Sequence, residues 1–168
     1  MRAILIDPYD HTISGIEYDT GFETIKELIG TPPIENAGPC KTMTHCALGG
    51  GIHAYVDDNG NWTQEAWFRL GEVKVLYCGR MLLIGTTFDG EDAELPAHFT
   101  TSVAAGKVQW LDDDRALRFA TELDALLAEE MADNPAVIHL DNGLGERIAE
   151  VVKRKRDRMM GVEQEGEL

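Results

Sequence analysis

The chain has 168 residues, 43% hydrophobic and 27% charged, a composition that sustains one folded domain burying roughly 68–70% of its unfolded surface and excludes wholesale disorder. Fifteen Lys and Arg against 30 Asp and Glu give a formal net charge of −15, which disfavours attraction to nucleic-acid phosphates or an anionic membrane surface. Cys40, Cys46 and Cys78 lack framework spacing and read as reduced thiols of a cytoplasmic protein. The opening apolar run meets Asp7 and Pro8 too early for a signal peptide, and no stretch approaches the roughly 18 apolar residues of a membrane span.

Arg2 to Asp7 has strand composition, closed by Pro8, which offers no backbone donor. Thr12 to Tyr18 reads as a second strand, with Ile13 and Ile16 off strict alternation and Gly15 marking a bulge or bend. Asp19 or Thr20 then caps a short helix in which Phe22, Ile25, Leu28 and Ile29 recur at helical spacing, Glu23 completes a capping box with Thr20, and Gly30 supplies the stop. Thr31 to Gly51, with Pro32, Pro33, Pro39 and Gly49-Gly50-Gly51, reads as a long extended loop of the kind that often carries function.

Ile52 to Gly90 is the organising stretch, apolar runs punctuated by turn residues. Ile52, Ala54 and Val56 share one face of a strand, and Asp57 to Asn61 reverses the chain with Gly60 expected at positive φ. Trp62, Ala66, Phe68 and Leu70 share parity, as do Val73, Val75 and Tyr77. Met81 to Ile84 is apolar on both parities, which predicts the most interior strand. After an irregular stretch around Pro96, Val108 and Trp110 suggest one more strand.

From Asp112 the pattern becomes helical. Asp112-Asp113-Asp114 places negative charge at a helix start, followed by Leu117, Ala120, Leu123, Leu127 and Met131 at helical spacing, with Asn134-Pro135 as the stop. Val137 to Leu140 is a short apolar run with strand composition, and Asn142-Gly143 is a turn. From Leu144, Ile148, Val151, Val152 and Met159 define a second amphipathic helix, and residues 161–168 read as a frayed tail. The expected fold is α+β, a mostly antiparallel sheet with one short N-terminal helix and two C-terminal amphipathic helices. Residues 1–168 are expected to form one domain, with a sheet-rich core over 1–111 and a helical layer or extension over 112–160.

The run Arg-Ala-Ile-Leu-Ile-Asp-Pro at residues 2–8, the Leu-Ile-Gly that closes the first helix, Tyr-Val-Asp-Asp-Asn-Gly at 55–60 and Gly-Arg-Met-Leu-Leu-Ile-Gly at 79–85 together resemble a family of short phage and mobile-element proteins of unknown function. The resemblance spans roughly residues 1–110. It implies a small α+β fold and a phage or mobile-element origin, and it supplies no catalytic residues. The stretch 31–51 and the helical tail after Leu111 depart from its pattern.

Several groups have the residue types for chemistry. Cys40, His45, Cys46 and His53 are the nearest to a zinc set, since thiolate and imidazole are preferred ligands, although five residues separate the two cysteines and adjacent His45 and Cys46 diverge in an extended chain. The same residues could pair a thiol with a histidine base. Gly49-Gly50-Gly51 lacks the strand–turn–helix context of a dinucleotide fingerprint, and Asp57 to Asn61 reads as a turn rather than a calcium loop. Lys153, Arg154, Lys155, Arg156 and Arg158 form the one basic run, and six of the 15 basic residues lie from Arg147 onward. They suit either a solvated helix end or contact with RNA, DNA or an acidic patch, this protein's own in an oligomer included.

These features favour a small non-enzymatic accessory or interaction protein acting through a protein-binding surface, on a host protein or on itself as a homo-oligomer, with no cofactor, no membrane association and nucleic acid disfavoured. One alternative is an enzyme or small-ligand or metal-binding protein using residues 31–53. Another is an acidic mimic of nucleic acid directed at a host factor.

Overall fold

The structure, a computed structural model, describes residues 1–19, 21–30, 43–58, 60, 64–71, 75–133 and 143–160. The strands among the described residues are β1 (Arg2–Asp7), β2 (Thr12–Glu17), β3 (Met43–Gly49), β4 (Ile52–Asp57), β5 (Trp67–Leu70), β6 (Tyr77–Cys78), β7 (Met81–Thr86), β8 (Asp92–Ala93) and β9 (Val108–Leu111). The helices described are α1 (Phe22–Ile29), α2 (Thr101–Ala105), α3 (Asp113–Asp133) and α4 (Leu144–Met159). The protein is α+β, with the first and last two of these helices where periodicity places them.

The strands form two antiparallel sheets. The larger runs β2-β1-β7-β4-β3, with β8 pairing the end of β7, and the smaller runs β6-β5-β9. Because side chains alternate along a strand, three apolar layers result. Ile4, Ile6, Ile52, Ala54, Met81 and Leu83 from the large sheet meet Phe68, Leu70 and Tyr77 from the small one. The opposite face of the large sheet, with Ala3, Leu82 and Ile84, packs on Ile25 and Ile29 of α1. The opposite face of the small sheet, with Trp67, Cys78 and Leu111, packs on Ala116, Ala120, Ile148, Val151 and Val152 of α3 and α4. The order of layers is therefore helix, sheet, sheet, helix pair. β7 is central and buried on both faces from Met81 to Ile84, as its double parity predicts.

Local details correct the expectations drawn from sequence. β2 is regularly paired, with Ile13 opposite Ile6 and Ile16 opposite Ala3. These two isoleucines serve different cores, which explains their odd spacing without a bulge at Gly15. α1 has no side-chain cap, its N-cap being Gly21, and Gly30 ends it at φ −58° rather than in the left-handed region. Residues 43–49 of the expected loop are strand β3, closed onto β4 by Gly49, Gly50 and Gly51 at φ 81°, 62° and 72°. Gly60 is not at positive φ. A Cβ there would lie 2.8 Å from the Cys78 carbonyl oxygen, so close approach is what requires it. Thr20, Trp62, Val73, the Val137–Leu140 run and the 161–168 tail lie outside the described residues.

Candidate functional site

A concavity of about 790 Å³ opens at the end of the sandwich where β1 turns into β2. Pro8, Tyr9 and His11 of that turn form one wall, and Glu65, Ala66 and Trp67 lead into β5. Trp110 and Leu111 end β9, Asp112 to Arg115 begin α3, and Lys155, Arg156 and Met159 close the groove from the last turns of α4.

Its aromatic surface is built on a strained turn. His11 is the one non-glycine residue at positive φ among the described residues, at 52°, a conformation that costs on the order of 1–2 kcal/mol for an L-residue. In that conformation its ring lies parallel to Trp110, with centroids 5.1 Å apart and planes 10° apart. Trp110 in turn meets Phe68 edge-on at 6.0 Å, so the stack is backed by the central core. His11 is exposed and Trp110 half-buried.

Beneath the aromatics lies a polar network. The Tyr9 hydroxyl donates to Oε1 of Gln64, a residue with no exposed surface, and Gln64 Nε2 donates to Asp57 Oδ2 at 2.9 Å. The Tyr9 backbone N–H donates to Asp7 Oδ1 at 3.0 Å, and Arg80 Nε donates to Asp7 Oδ2 at 2.7 Å. Asp7 is buried, so this ion pair is shielded from water and fixes the start of the turn. Burial drives the Tyr9 phenol well above its ordinary pKa, which keeps it neutral and available as a donor.

The opposite wall is electrostatically self-contained. Asp112 caps α3, its Oδ1 accepting from the Arg115 N–H at 2.8 Å. Lys155 Nζ lies 2.8 Å from Asp113 Oδ1, Arg156 Nη2 lies 3.0 Å from Asp114 Oδ1, and Arg158 pairs with Glu65. Lys155 also donates to the Glu65 carbonyl at 3.3 Å and stands 5.2 Å from the Trp67 ring centroid. The basic end of α4 thus packs antiparallel against the acidic start of α3, each complementing the other's dipole.

Of the residues proposed from sequence, Lys155, Arg156 and Arg158 come together at this groove, engaged by carboxylates of the same chain. Lys153 and Arg154 are exposed beside them. The spacing places Met159 on the apolar stripe of the last helix. It is 70% exposed at the groove rim.

The Cys40–His53 set is not gathered in what is described. Cys40 lies outside the described residues, and register places His45 opposite Tyr55 and Cys46 opposite Ala54, positions on alternate faces of the sheet, while His53 pairs with Ala47. No group of three or more His, Cys, Asp or Glu suited to a metal occurs among the described residues. Cys78 is buried, and burial pushes its thiol pKa up, the opposite of an activated nucleophile. No described helix is long and apolar enough to cross a membrane.

Sequence reasoning missed Tyr9, His11, Glu65 and Trp110 as a group. Trp110 was legible as a strand residue and Pro8 as a turn, but nothing local announces that β9 ends beside the β1–β2 turn. No family model, curated protein or solved structure matches this chain.

Proposed function

We propose that this is a small interaction protein, of phage or mobile-element type, that holds an extended segment of a partner protein in the groove formed by Tyr9, His11, Trp110 and the α3–α4 ends. The observation that carries this reading is the His11–Trp110 stack, held open to solvent by a strained backbone. Strain of this kind clusters at binding sites, where it pre-organises the surface. Rigid aromatic platforms grip extended peptides with little loss of side-chain entropy, as in grooves that read proline-rich segments.

The charged wall favours binding over turnover. Its lysine and arginines are already paired with carboxylates, which leaves the aromatic face as the rigid contact surface and the Met159 thioether as the adaptable one. The overall charge of −15 then favours partners that are neutral or basic.

A displayed library of random peptides, selected on the wild-type protein and counter-selected on Trp110→Ala, tests this. We expect enriched sequences with an apolar or proline anchor, whose affinity falls at least tenfold, about 1.4 kcal/mol, in both His11→Ala and Trp110→Ala. Peptides that bind wild type and Trp110→Ala equally would place recognition elsewhere.

A further inference from the structure

A second feature lies at the opposite end of the large sheet. β7 runs antiparallel to β1, with Ile6 opposite Met81, so its far end leads away from the His11 turn. There the β7–β8 turn presents Phe88, fully exposed, at its tip. The turn is closed by its own hydrogen bonds: the Thr87 N–H donates to the Glu91 carbonyl at 2.9 Å, the Gly90 N–H to the Thr87 carbonyl at 3.1 Å, and the Glu91 N–H to Thr87 Oγ1 at 3.0 Å. A large aromatic side chain held in water on an ordered turn forgoes the gain that covering it would bring.

The same end carries a hole of about 450 Å³. Leu48, Ile52, Leu70 and Val103 give it an apolar lining, and Lys107 and His98 lie at its rim. The Thr86 N–H donates to the Gly51 carbonyl at 3.0 Å, which ties the base of the Phe88 turn to the β3–β4 turn beside the hole. Phe88 does not enter the hole of its own chain.

Charge distinguishes the two surfaces. Phe88 is flanked by exposed Asp89 and Glu91, and the hole by exposed Lys107 and His98. None of Asp89, Glu91 and Lys107 forms an ion pair with another described residue. Knob and hole are thus opposite in charge, complementary in apolar character, and side by side on one molecule, the arrangement that a two-fold contact between identical chains requires.

We propose that the protein self-associates through this end, Phe88 of each copy entering the hole of the other, with Asp89 and Glu91 facing Lys107 and His98 across the contact. Two aromatic anchors, each covering about 150–250 Å², lie below the span of obligate interfaces, so the dimer dissociates on dilution. The inference is independent of the groove reading.

Sedimentation equilibrium over a concentration series tests it. The wild-type protein is expected to pass from monomer to dimer mass as concentration rises, and Phe88→Ser, which alters a side chain without packing contacts of its own, to stay monomeric. Lys107→Glu should weaken the dimer at least fivefold, and adding Glu91→Lys to the same chain should recover it. His11→Ala should dimerise as wild type does. A wild-type protein that stays monomeric throughout, or a dimer that survives Phe88→Ser, overturns the proposal.

Discussion

Tyr55 and Tyr18 meet Asp92 on the α1 side of the large sheet, the Tyr55 hydroxyl donating to Asp92 Oδ1 at 2.9 Å. Burial, reinforced by that carboxylate, pushes each phenol from 10.0 up to about 12. In the unfolded chain both ionise near 10, so between pH 10 and 12 the unfolded state binds fewer protons than the folded one and stability falls as pH rises. The neutral phenols contribute fully below pH 10 and lose their contribution as pH passes 12. The urea midpoint should therefore drop across this window, and less steeply in Tyr55→Phe; identical slopes in the two proteins would remove Tyr55 as a cause. None of this is visible in the sequence, where Tyr18, Tyr55 and Asp92 are separated by tens of residues. Gly85 is similar: it reads as the end of an apolar strand, yet a Cβ there would lie 2.0 Å from the Glu94 carbonyl oxygen of the adjoining β8 segment. Only pairing between strands reveals why that position must be glycine.

Among elements, the two long helices were legible and their mutual arrangement was not. Apolar spacing marks α3 and α4, and Asp112 caps α3 as its position before the helix suggests. The start of α4 has no cap from its own N-cap residue, Gly143. It is capped instead from across the helix pair, the Asp124 carboxylate accepting from the N–H groups of Gly143 at 3.4 Å, Leu144 at 3.1 Å and Gly145 at 2.7 Å. Gly145 allows this approach, since a Cβ would stand 3.1 Å from Asp124 Oδ2 and 3.2 Å from Thr121 Oγ1. Asp124→Ala should cost about 1–2 kcal/mol, the upper range for a lost cap, and speed hydrogen exchange of the Leu144 and Gly145 amides. If urea unfolding shows no loss, the carboxylate contributes nothing beyond what water supplies. The missed elements are β3, β8 and α2; β3 was missed because proline and glycine counts over residues 31–51 overrode a short strand. The triple glycine is its hairpin turn, a signal of reversal that a loop reading absorbed.

For the whole molecule, alternation within each strand identified apolar faces but not how many cores they serve. Phe68 and Trp67 are adjacent and both buried, and they belong to different layers because the small sheet is covered on both faces. The helical layer covers the outer face of the small sheet, and the sheets are therefore expected to need it. Removing residues 112–168 would expose Trp67, Leu76 and Leu111, each worth about 1.5–3 kcal/mol when buried, a loss comparable to the 5–15 kcal/mol total stability of a typical domain. It would also strip Lys155 from Glu65 and the Trp67 ring, undoing one wall of the groove. A 1–111 fragment is therefore expected to lose cooperative urea unfolding, to bind hydrophobic dyes and to show red-shifted tryptophan emission as Trp67 meets water. A fragment that unfolds cooperatively at the full-length midpoint would show instead that the two sheets and α1 suffice. Groove and fold would then be separable, and peptide binding by that fragment would reveal how much recognition the His11–Trp110 stack achieves without α4.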